Sequence, residues 1–282
     1  MGRVTTRRQI TAIDAATGQS RRRSDTLSVE EPLELRIGGL AINVTMRTPG
    51  HDIELIHGFL HSEGLIRSAE DVMMARYCEG AVTSGETGFD ENTYNVIDVT
   101  LAPGVDAPAS TATRNFFTSS SCGVCGKASI EQLRVQSAHD VRSDEVRVAA
   151  SVIARLPDAL REQQRSFATT GGLHAAGLFT ADGETLVVRE DVGRHNAVDK
   201  VIGWALLARR LPLTGSVLMV TSRASFELSQ KAIMAGIPCL AAVSAPSSLA
   251  VECAEDAGMS LVGFVRGGHL NVYAGPQRIT TD

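Results

Sequence analysis

The second half of the chain alternates short apolar stretches with helical segments, and this order restricts the possible folds more than any other feature. Apolar runs at 217–220, 237–243 and 261–265 predict strands, and the segments 226–235 and 248–257 predict helices between them. Strands joined in this way form a mostly parallel sheet covered by helices. The run is preceded by a hairpin signal at Asp182-Gly183 and by an amphipathic helix from Asn196 to Arg210. We therefore expect an α/β domain.

The first half carries a different pattern. Gly38-Gly39 between two alternating apolar stretches predicts a hairpin, and apolar residues at helical spacing predict a short helix between residues 53 and 60. Residues 1–30 are polar and basic, so we expect a flexible tail there. A break rich in Pro and Gly follows residue 101 and marks a domain boundary. The prediction is a smaller β-rich part, residues 31–108, and an α/β domain, residues 109–282.

Composition argues against several classes of protein. The net charge is −5, so there is no general attraction to nucleic acid or to anionic membranes. No apolar run approaches the roughly 18 residues of a membrane span, and no secretory signal is recognisable. The five cysteines are an odd number, which favours reduced thiols. We therefore expect a soluble, cytoplasmic protein without a nucleic-acid or membrane partner.

The motif Cys122-Gly-Val-Cys125 is the strongest candidate for chemistry. A helix pattern begins at about Lys127, so both thiols lie near a predicted helix start, where the helix dipole and the lysine favour the thiolate. Such surroundings lower a cysteine pKa from about 8.5 to roughly 3.5–7.5. The residues leave a sulfur carrier and a thioredoxin-like redox pair nearly equal. Structural zinc ranks third, because no second Cys-x-x-Cys pair is present.

Three predicted strands end in arginine next to glycine or serine. Arg194 and His195 follow the first and begin a helix that also carries Lys200, while Arg223 and Arg266 follow the other two. Loops after parallel strands gather at one edge of the sheet, and arginine can bind phosphate through two bonds. This predicts a site for a phosphorylated ligand. The alternative is an ordinary capped helix with solvated charges. No Rossmann or P-loop motif supports a nucleotide site of those types.

Taken together, several motifs resemble the formate dehydrogenase accessory sulfurtransferase family (FdhD). They follow one another in the family's order between about residues 30 and 275. The matching segments are Pro49-Gly50 with Glu54 to Gly64, Cys122-Gly-Val-Cys125-Gly-Lys, Thr170-Gly-Gly-Leu-His, Glu190-Asp-Val-Gly-Arg-His-Asn-Ala-Val-Asp-Lys, Thr221-Ser-Arg-Ala-Ser-Phe-Glu and Gly263-Phe-Val-Arg-Gly-Gly with Asn271-Val-Tyr. The stretch from Glu190 to Lys200 is the most specific.

The resemblance implies a sulfurtransferase with a cysteine persulfide intermediate. Such a protein takes sulfur from a cysteine desulfurase and passes it to the molybdenum cofactor of formate dehydrogenase. Cys122 would carry the persulfide and Cys125 would assist. The cofactor, molybdenum bis(molybdopterin guanine dinucleotide), would be a bound client, with no permanent cofactor and no metal. The residues expected to contact it are Gly171, Gly172, Arg194, His195, Arg223, Phe264, Val265, Arg266, Gly267, Gly268 and His269.

The resemblance further implies a homodimer whose second half has a three-layer fold like that of cytidine deaminases. That fold raises an alternative, a zinc deaminase, because His61-Ser-Glu63 and Cys122-x-x-Cys125 imitate its zinc signature. The signature's proline is absent, since residue 121 is serine, and the gap between the two parts is long. A third possibility is a non-catalytic chaperone of the molybdenum cofactor.

Overall fold

The computed structural model describes residues 3–78, 95–106 and 137–281. Its strands are β1 (Thr5–Ile13), β2 (Ser20–Ser28), β3 (Glu31–Ile37), β4 (Leu40–Arg47), β5 (Val72–Tyr77), β6 (Val96–Leu101), β7 (Val148–Ala149), β8 (His174–Thr180), β9 (Thr185–Asp191), β10 (Ser216–Val220), β11 (Cys239–Ala242), β12 (Ser260–Arg266), β13 (His269–Ala274) and β14 (Ile279–Thr280). Its α-helices are α1 (Asp52–Ser62), α2 (Ala150–Gln163), α3 (Arg165–Thr170), α4 (Arg194–Leu207), α5 (Phe226–Met234) and α6 (Ser248–Ala257).

A six-stranded sheet in the order β13-β12-β11-β10-β8-β9 forms the centre of the second half. β10, β11 and β12 pair in parallel, whereas β8 is antiparallel to both β9 and β10, and β13 is antiparallel to β12. Four strands, β9 to β12, therefore run in one direction, and β8 and β13 run in the other. The prediction of a mixed α/β fold is confirmed.

Helices cover both faces of this sheet, so that the second half has three layers. Successive strand residues point to opposite faces. Leu218, for example, packs in the cluster beneath α4, α5 and α6, whereas its neighbour Met219 packs in the cluster beneath α2. The likeness to cytidine deaminases stays a prediction. Among the described residues, no helix is long and apolar enough to span a membrane.

A four-stranded sheet in the order β4-β3-β6-β5 belongs to the first half. Its inward residues, such as Leu33 and Ile97, pack against Leu55 and Leu60 of α1. The predicted hairpin is confirmed: β3 and β4 are joined at Gly38-Gly39, where both glycines have positive φ, as tight hairpin turns require. Helix α1 also packs on α4, so the two parts share an interface. The boundary predicted after residue 108 falls outside the described residues and stays a prediction.

The prediction of a flexible tail at residues 1–30 is wrong about its secondary structure, because most of this segment forms two strands. β1 and β2 form an antiparallel ribbon of nine residue pairs, from Thr5↔Ser28 to Ile13↔Ser20. Asp14 stabilises the turn, because its carboxylate accepts hydrogen bonds from the N–H groups of Ala16 and Thr17 at 2.9 and 3.2 Å. Most side chains on both faces of the ribbon are exposed, so the usual alternation of apolar and polar residues is weak.

Candidate functional site

The sheet topology brings the predicted anion-binding residues to one edge. β9, β10 and β12 run in the same direction, and Arg194, Arg223 and Arg266 lie at or just after their carboxyl ends. These strands are not neighbours, because β8 separates β9 from β10 and β11 separates β10 from β12. Gly171 and Gly172 reach the same edge, since they precede the antiparallel strand β8. These residues therefore lie along one edge of the sheet, and their role in binding stays a prediction.

The turn between β12 and β13 lines a surface depression of about 380 Å³. Its walls are Phe264, Arg266, His269 and Asn271. Phe264 is half-buried with φ of 53°, and the Arg266 guanidinium lies 5.6 Å from the centre of its ring. An aromatic ring beside a guanidinium suits a flat, phosphate-bearing ligand.

Three further predicted residues lie in or next to that turn and contribute through their backbone. Gly267 and Gly268 have φ of 57° and 79°, which is the conformation that a tight two-residue hairpin turn requires. Val265 is fully buried in the core cluster beneath α2, so only its backbone is available to a ligand. The sequence prediction did not distinguish Val265 from its exposed neighbours.

His195 occupies the first turn of α4 at the same edge. Burial lowers its pKa to about 3, with contributions from the nearby charges of Lys231, Arg194 and Arg223. The imidazole is therefore neutral at physiological pH. Its Nε2 atom lies 3.9 Å from a carboxylate oxygen of Glu227 on α5. The start of α4 and the start of α5 thus approach each other closely enough for their side chains to meet.

Lys200 does not belong to this edge, contrary to its predicted place in the anion site. Its Nζ lies 2.7 Å from Asp191 Oδ2, and both side chains are at most 1% exposed. Nζ also donates a hydrogen bond to the carbonyl of Thr48 at 2.9 Å. A lysine enclosed by these partners has no contact with a ligand at the surface, so its role is to hold β9 and α4 against the first half.

Other members of the specific Glu190–Lys200 motif also build the framework. The Glu190 carboxylate accepts hydrogen bonds from the backbone N–H groups of Ser166 and Phe167 at 2.9 and 2.7 Å, and so caps the start of α3. Asn196 donates to the Met46 carbonyl at 2.8 Å, and Asp199 forms a buried ion pair with Lys231 at 2.8 Å. The sequence signal for the buried ion pairs is that Asp199 and Lys200 lie between apolar residues within a predicted helix. The sequence prediction missed both pairs.

The histidine of the alternative zinc signature lies in the interior. His61 is 4% exposed, and its Nε2 lies 3.0 Å from the carbonyl oxygen of Met234 on α5. Burial lowers its pKa. Its environment is that of a packed interhelical residue, and Glu63 follows at the C-terminal end of α1. Within the described ranges, no group of three or more His, Cys, Asp or Glu residues could hold a metal ion.

The predicted reactive cysteines, Cys122 and Cys125, lie outside the described residues. The described cysteines differ in environment. Cys239 is fully buried in β11, and burial raises its pKa to about 12, so this thiol is inert near neutral pH. Cys78 and Cys253 are half-buried.

Comparisons with known proteins agree on one family. A sequence model of the FdhD/NarQ family matches residues 28–280. Proteins named sulfur carrier protein FdhD from Mycolicibacterium paratuberculosis and Nocardia farcinica are 58% and 56% identical to this chain, covering 98% and 99% of it and 99% and 96% of their own lengths. The relative of the same name from Sulfolobus acidocaldarius is 45% identical over 90% of this chain and 91% of its own.

A solved structure from Desulfotalea psychrophila, described as a formate dehydrogenase accessory protein, has the same fold. It superimposes with a TM-score of 0.74 at 24% identity, covering 99% of this chain and 100% of that one. The family match spans most of the sequence, and two relatives are more than half identical over almost its whole length. The chain therefore belongs to the FdhD/NarQ family.

Proposed function

We propose that the chain is a sulfur carrier in the maturation of formate dehydrogenase. It accepts persulfide sulfur from a cysteine desulfurase and delivers it to the molybdenum cofactor. One observation carries the proposal: three relatives that are 55–58% identical over 98–99% of this chain are named sulfur carrier protein FdhD. The chain has the two thiols, Cys122 and Cys125, that such chemistry needs.

The loading step uses one thiolate. The Cys122 thiolate attacks the terminal sulfur of the persulfide on the desulfurase, and a new sulfur–sulfur bond forms at Cys122. The sulfur–sulfur bond in the desulfurase breaks, and its cysteine leaves as a thiolate. No external oxidant or reductant is consumed in this exchange. A low thiol pKa favours the step because the thiolate is the nucleophile. Cys125 assists the later release of the sulfur.

The edge of the six-stranded sheet receives the cargo. Arg194, Arg223 and Arg266 supply cationic side chains for the phosphates of a guanine dinucleotide, and the half-buried ring of Phe264 offers a flat surface to the base. The cofactor is bound here as a substrate and is passed on. The proposal includes a homodimer that works in the cytoplasm.

The test is intact-mass spectrometry of the full chain after incubation with a desulfurase and cysteine. The wild-type protein should gain the mass of one sulfur atom, and treatment with a reductant should remove it. Cys122→Ala should lose this gain, whereas Cys125→Ala should keep it and deliver sulfur less well to apo formate dehydrogenase. Cys253→Ala is the matched control, because it removes a half-buried thiol that is not part of the motif.

Other results would point elsewhere. Equal gain of sulfur on wild type and Cys122→Ala would show that Cys122 is not the carrier. A Cys122–Cys125 disulfide that forms without any added sulfur would favour the redox pair. Full activation of formate dehydrogenase by the variant lacking both thiols would favour a chaperone of the cofactor.

A further inference from the structure

The helices that follow β10 and β11 both begin at a serine, but the two hydroxyls behave differently. Ser247 Oγ, at the start of α6, accepts the Ala250 N–H at 3.3 Å, as N-cap serines commonly do. Ser225 occupies the same position before α5 but makes no capping bond. Ser225 is only 6% exposed, and its Oγ is buried with no hydrogen-bond partner among the described residues. A buried hydroxyl in that state is free to form a hydrogen bond with a ligand.

A second buried polar atom near the start of α5 is also without a hydrogen-bond partner. His195 Nε2 is buried and, in the part of the chain that the structure describes, has no hydrogen-bond partner. It lies 3.9 Å from Glu227, which is two residues beyond Ser225 in the first turn of α5. Ser225 Oγ and His195 Nε2 are thus both unsatisfied, and both belong to the surroundings of the first turn of α5. Buried polar groups are rarely left unpaired without a functional reason.

The backbone of α5 adds hydrogen-bond donors. The Ser229 N–H is the first in this helix to bond back to a preceding carbonyl, that of Ser225 at 3.0 Å. The N–H groups of residues 226–228 therefore have no acceptor within the helix, and the helix dipole makes this end positive. Nine-residue helices such as α5 are long enough for the effect to matter.

The charges around the two atoms are mixed but favour an anion. Arg194, Arg223 and Lys231 all act on His195. Lys231 is paired with Asp199, and Glu227 adds a second carboxylate. Arg223 is exposed at the rim and can turn towards a ligand.

We propose that the Ser225 hydroxyl, the Nε2–H of neutral His195 and the N–H groups at the start of α5 donate hydrogen bonds to a phosphate group, with Arg223 closing over it. This subsite is separate from the depression at Phe264, because β11 lies between the strands that carry the two turns. Two strand spacings of about 4.8 Å place the turns roughly 10 Å apart. A nucleoside diphosphate can span that distance, with its base at Phe264 and its phosphate at Ser225. The identity of the phosphate-bearing ligand as a guanine dinucleotide rests on the proposed function, whereas the phosphate subsite itself does not.

Calorimetric titration of the full chain with three probes tests the subsite. Pyrophosphate, GDP and guanosine distinguish a free phosphate from one carried by a nucleotide. Ser225→Ala should weaken both pyrophosphate and GDP by about tenfold, the effect of losing one hydrogen bond to a charged group. Phe264→Ala should weaken GDP and guanosine and leave pyrophosphate unchanged. Ser247→Ala is the control and should leave binding of all three probes unchanged.

The stability of the unliganded variants provides an independent readout. Ser225→Ala should unfold at the same urea concentration as wild type or at a higher one, since it loses no hydrogen bond and removes a buried unsatisfied hydroxyl, whereas Ser247→Ala should unfold earlier. His195→Phe, which removes Nε2 and keeps a ring, should weaken pyrophosphate as Ser225→Ala does. Unchanged pyrophosphate affinity in both Ser225→Ala and His195→Phe would overturn the proposal. Persulfide formation at Cys122 in Ser225→Ala is scored separately, so loss of the subsite and failure of the sulfur-carrier function give different results.

Discussion

Helices α1 and α4 cross at two glycines, and adding one methyl group there should force the helices apart. A Cβ atom built on Gly203 would lie 1.8 Å from the carbonyl oxygen of Glu54, and one built on Gly58 would lie 1.8 Å from that of Asp199. The obstructing atoms are backbone in both cases. No change of side-chain rotamer can therefore relieve the clash, and Gly203→Ala must move one helix relative to the other.

The size of the effect follows from the distances. A carbon–oxygen contact normally needs about 3.3 Å or more, so the backbones at Gly203 must separate by roughly 1.5 Å. Overpacking of this kind costs about 1–3 kcal/mol, and more where the backbone itself must move. Alanine regains about 1 kcal/mol of helix propensity. We expect a net loss of about 2 kcal/mol or more in the free energy of unfolding, and a Tm lower by about 4–8 °C.

Thermal and urea unfolding of Gly203→Ala measure this loss, with Gly172→Ala as the control. A Cβ on Gly172 would meet Ser28 Oγ at 3.4 Å, an ordinary contact, so that variant should stay within about 0.5 kcal/mol of wild type. A Gly203→Ala protein as stable as wild type would refute the argument, because it would mean that the two helices do not approach each other through their backbones.

Two further predictions concern buried charges. Lys200→Met should lower the free energy of unfolding by about 3–5 kcal/mol, because it leaves the Asp191 carboxylate buried without its cation; Asp191→Asn combined with Lys200→Met should cost less than the sum of the single changes, and additive losses in urea unfolding would contradict the pairing. Burial of Glu54 opposes its ionisation, but the hydrogen bonds and charge of Arg189 outweigh it and lower the pKa from 4.5 to about 2. The stability that this pair adds is complete above pH 4.5 and is lost as the pH falls towards 2, so Glu54→Gln should flatten the acid-unfolding curve in that window.

The parts of the fold that could be predicted are those with a regular apolar pattern. The helix predicted at 248–257 is α6, Ser248–Ala257, and the hairpin at Gly38-Gly39 is present. Helix α2 was missed although Ile153, Leu156 and Leu160 recur at helical spacing, with Pro157 inside the helix as a contrary signal. The ribbon of β1 and β2 gave little signal because most of its side chains are in solvent.

The candidate site divides along a similar line. Strand order and the rule for parallel strands were enough to expect Arg194, Arg223 and Arg266 at one edge, and the topology places them there. The role of Lys200 could not be obtained in this way, because a lysine in the second turn of a helix is equally consistent with a phosphate ligand and with a buried counter-ion. Only the tertiary position of Thr48 and Asp191 distinguishes the two. The unpaired hydroxyl of Ser225 could not be predicted for the same reason. Whether a serine before a helix forms a capping hydrogen bond depends on the geometry of the folded chain.

Helix α4 explains why the first half matters to an edge built by the second. Its N-terminal residues, Arg194 and His195, belong to the edge, while Gly203 near its other end fits against α1. Between them, Asn196 bonds to β4, and Lys200 bonds to the loop that precedes α1. A helix held from both sides in this way cannot shift at one end without moving the other. Separation of α1 from α4 should therefore displace the edge residues, and Gly203→Ala should weaken GDP binding although residue 203 lies outside the site.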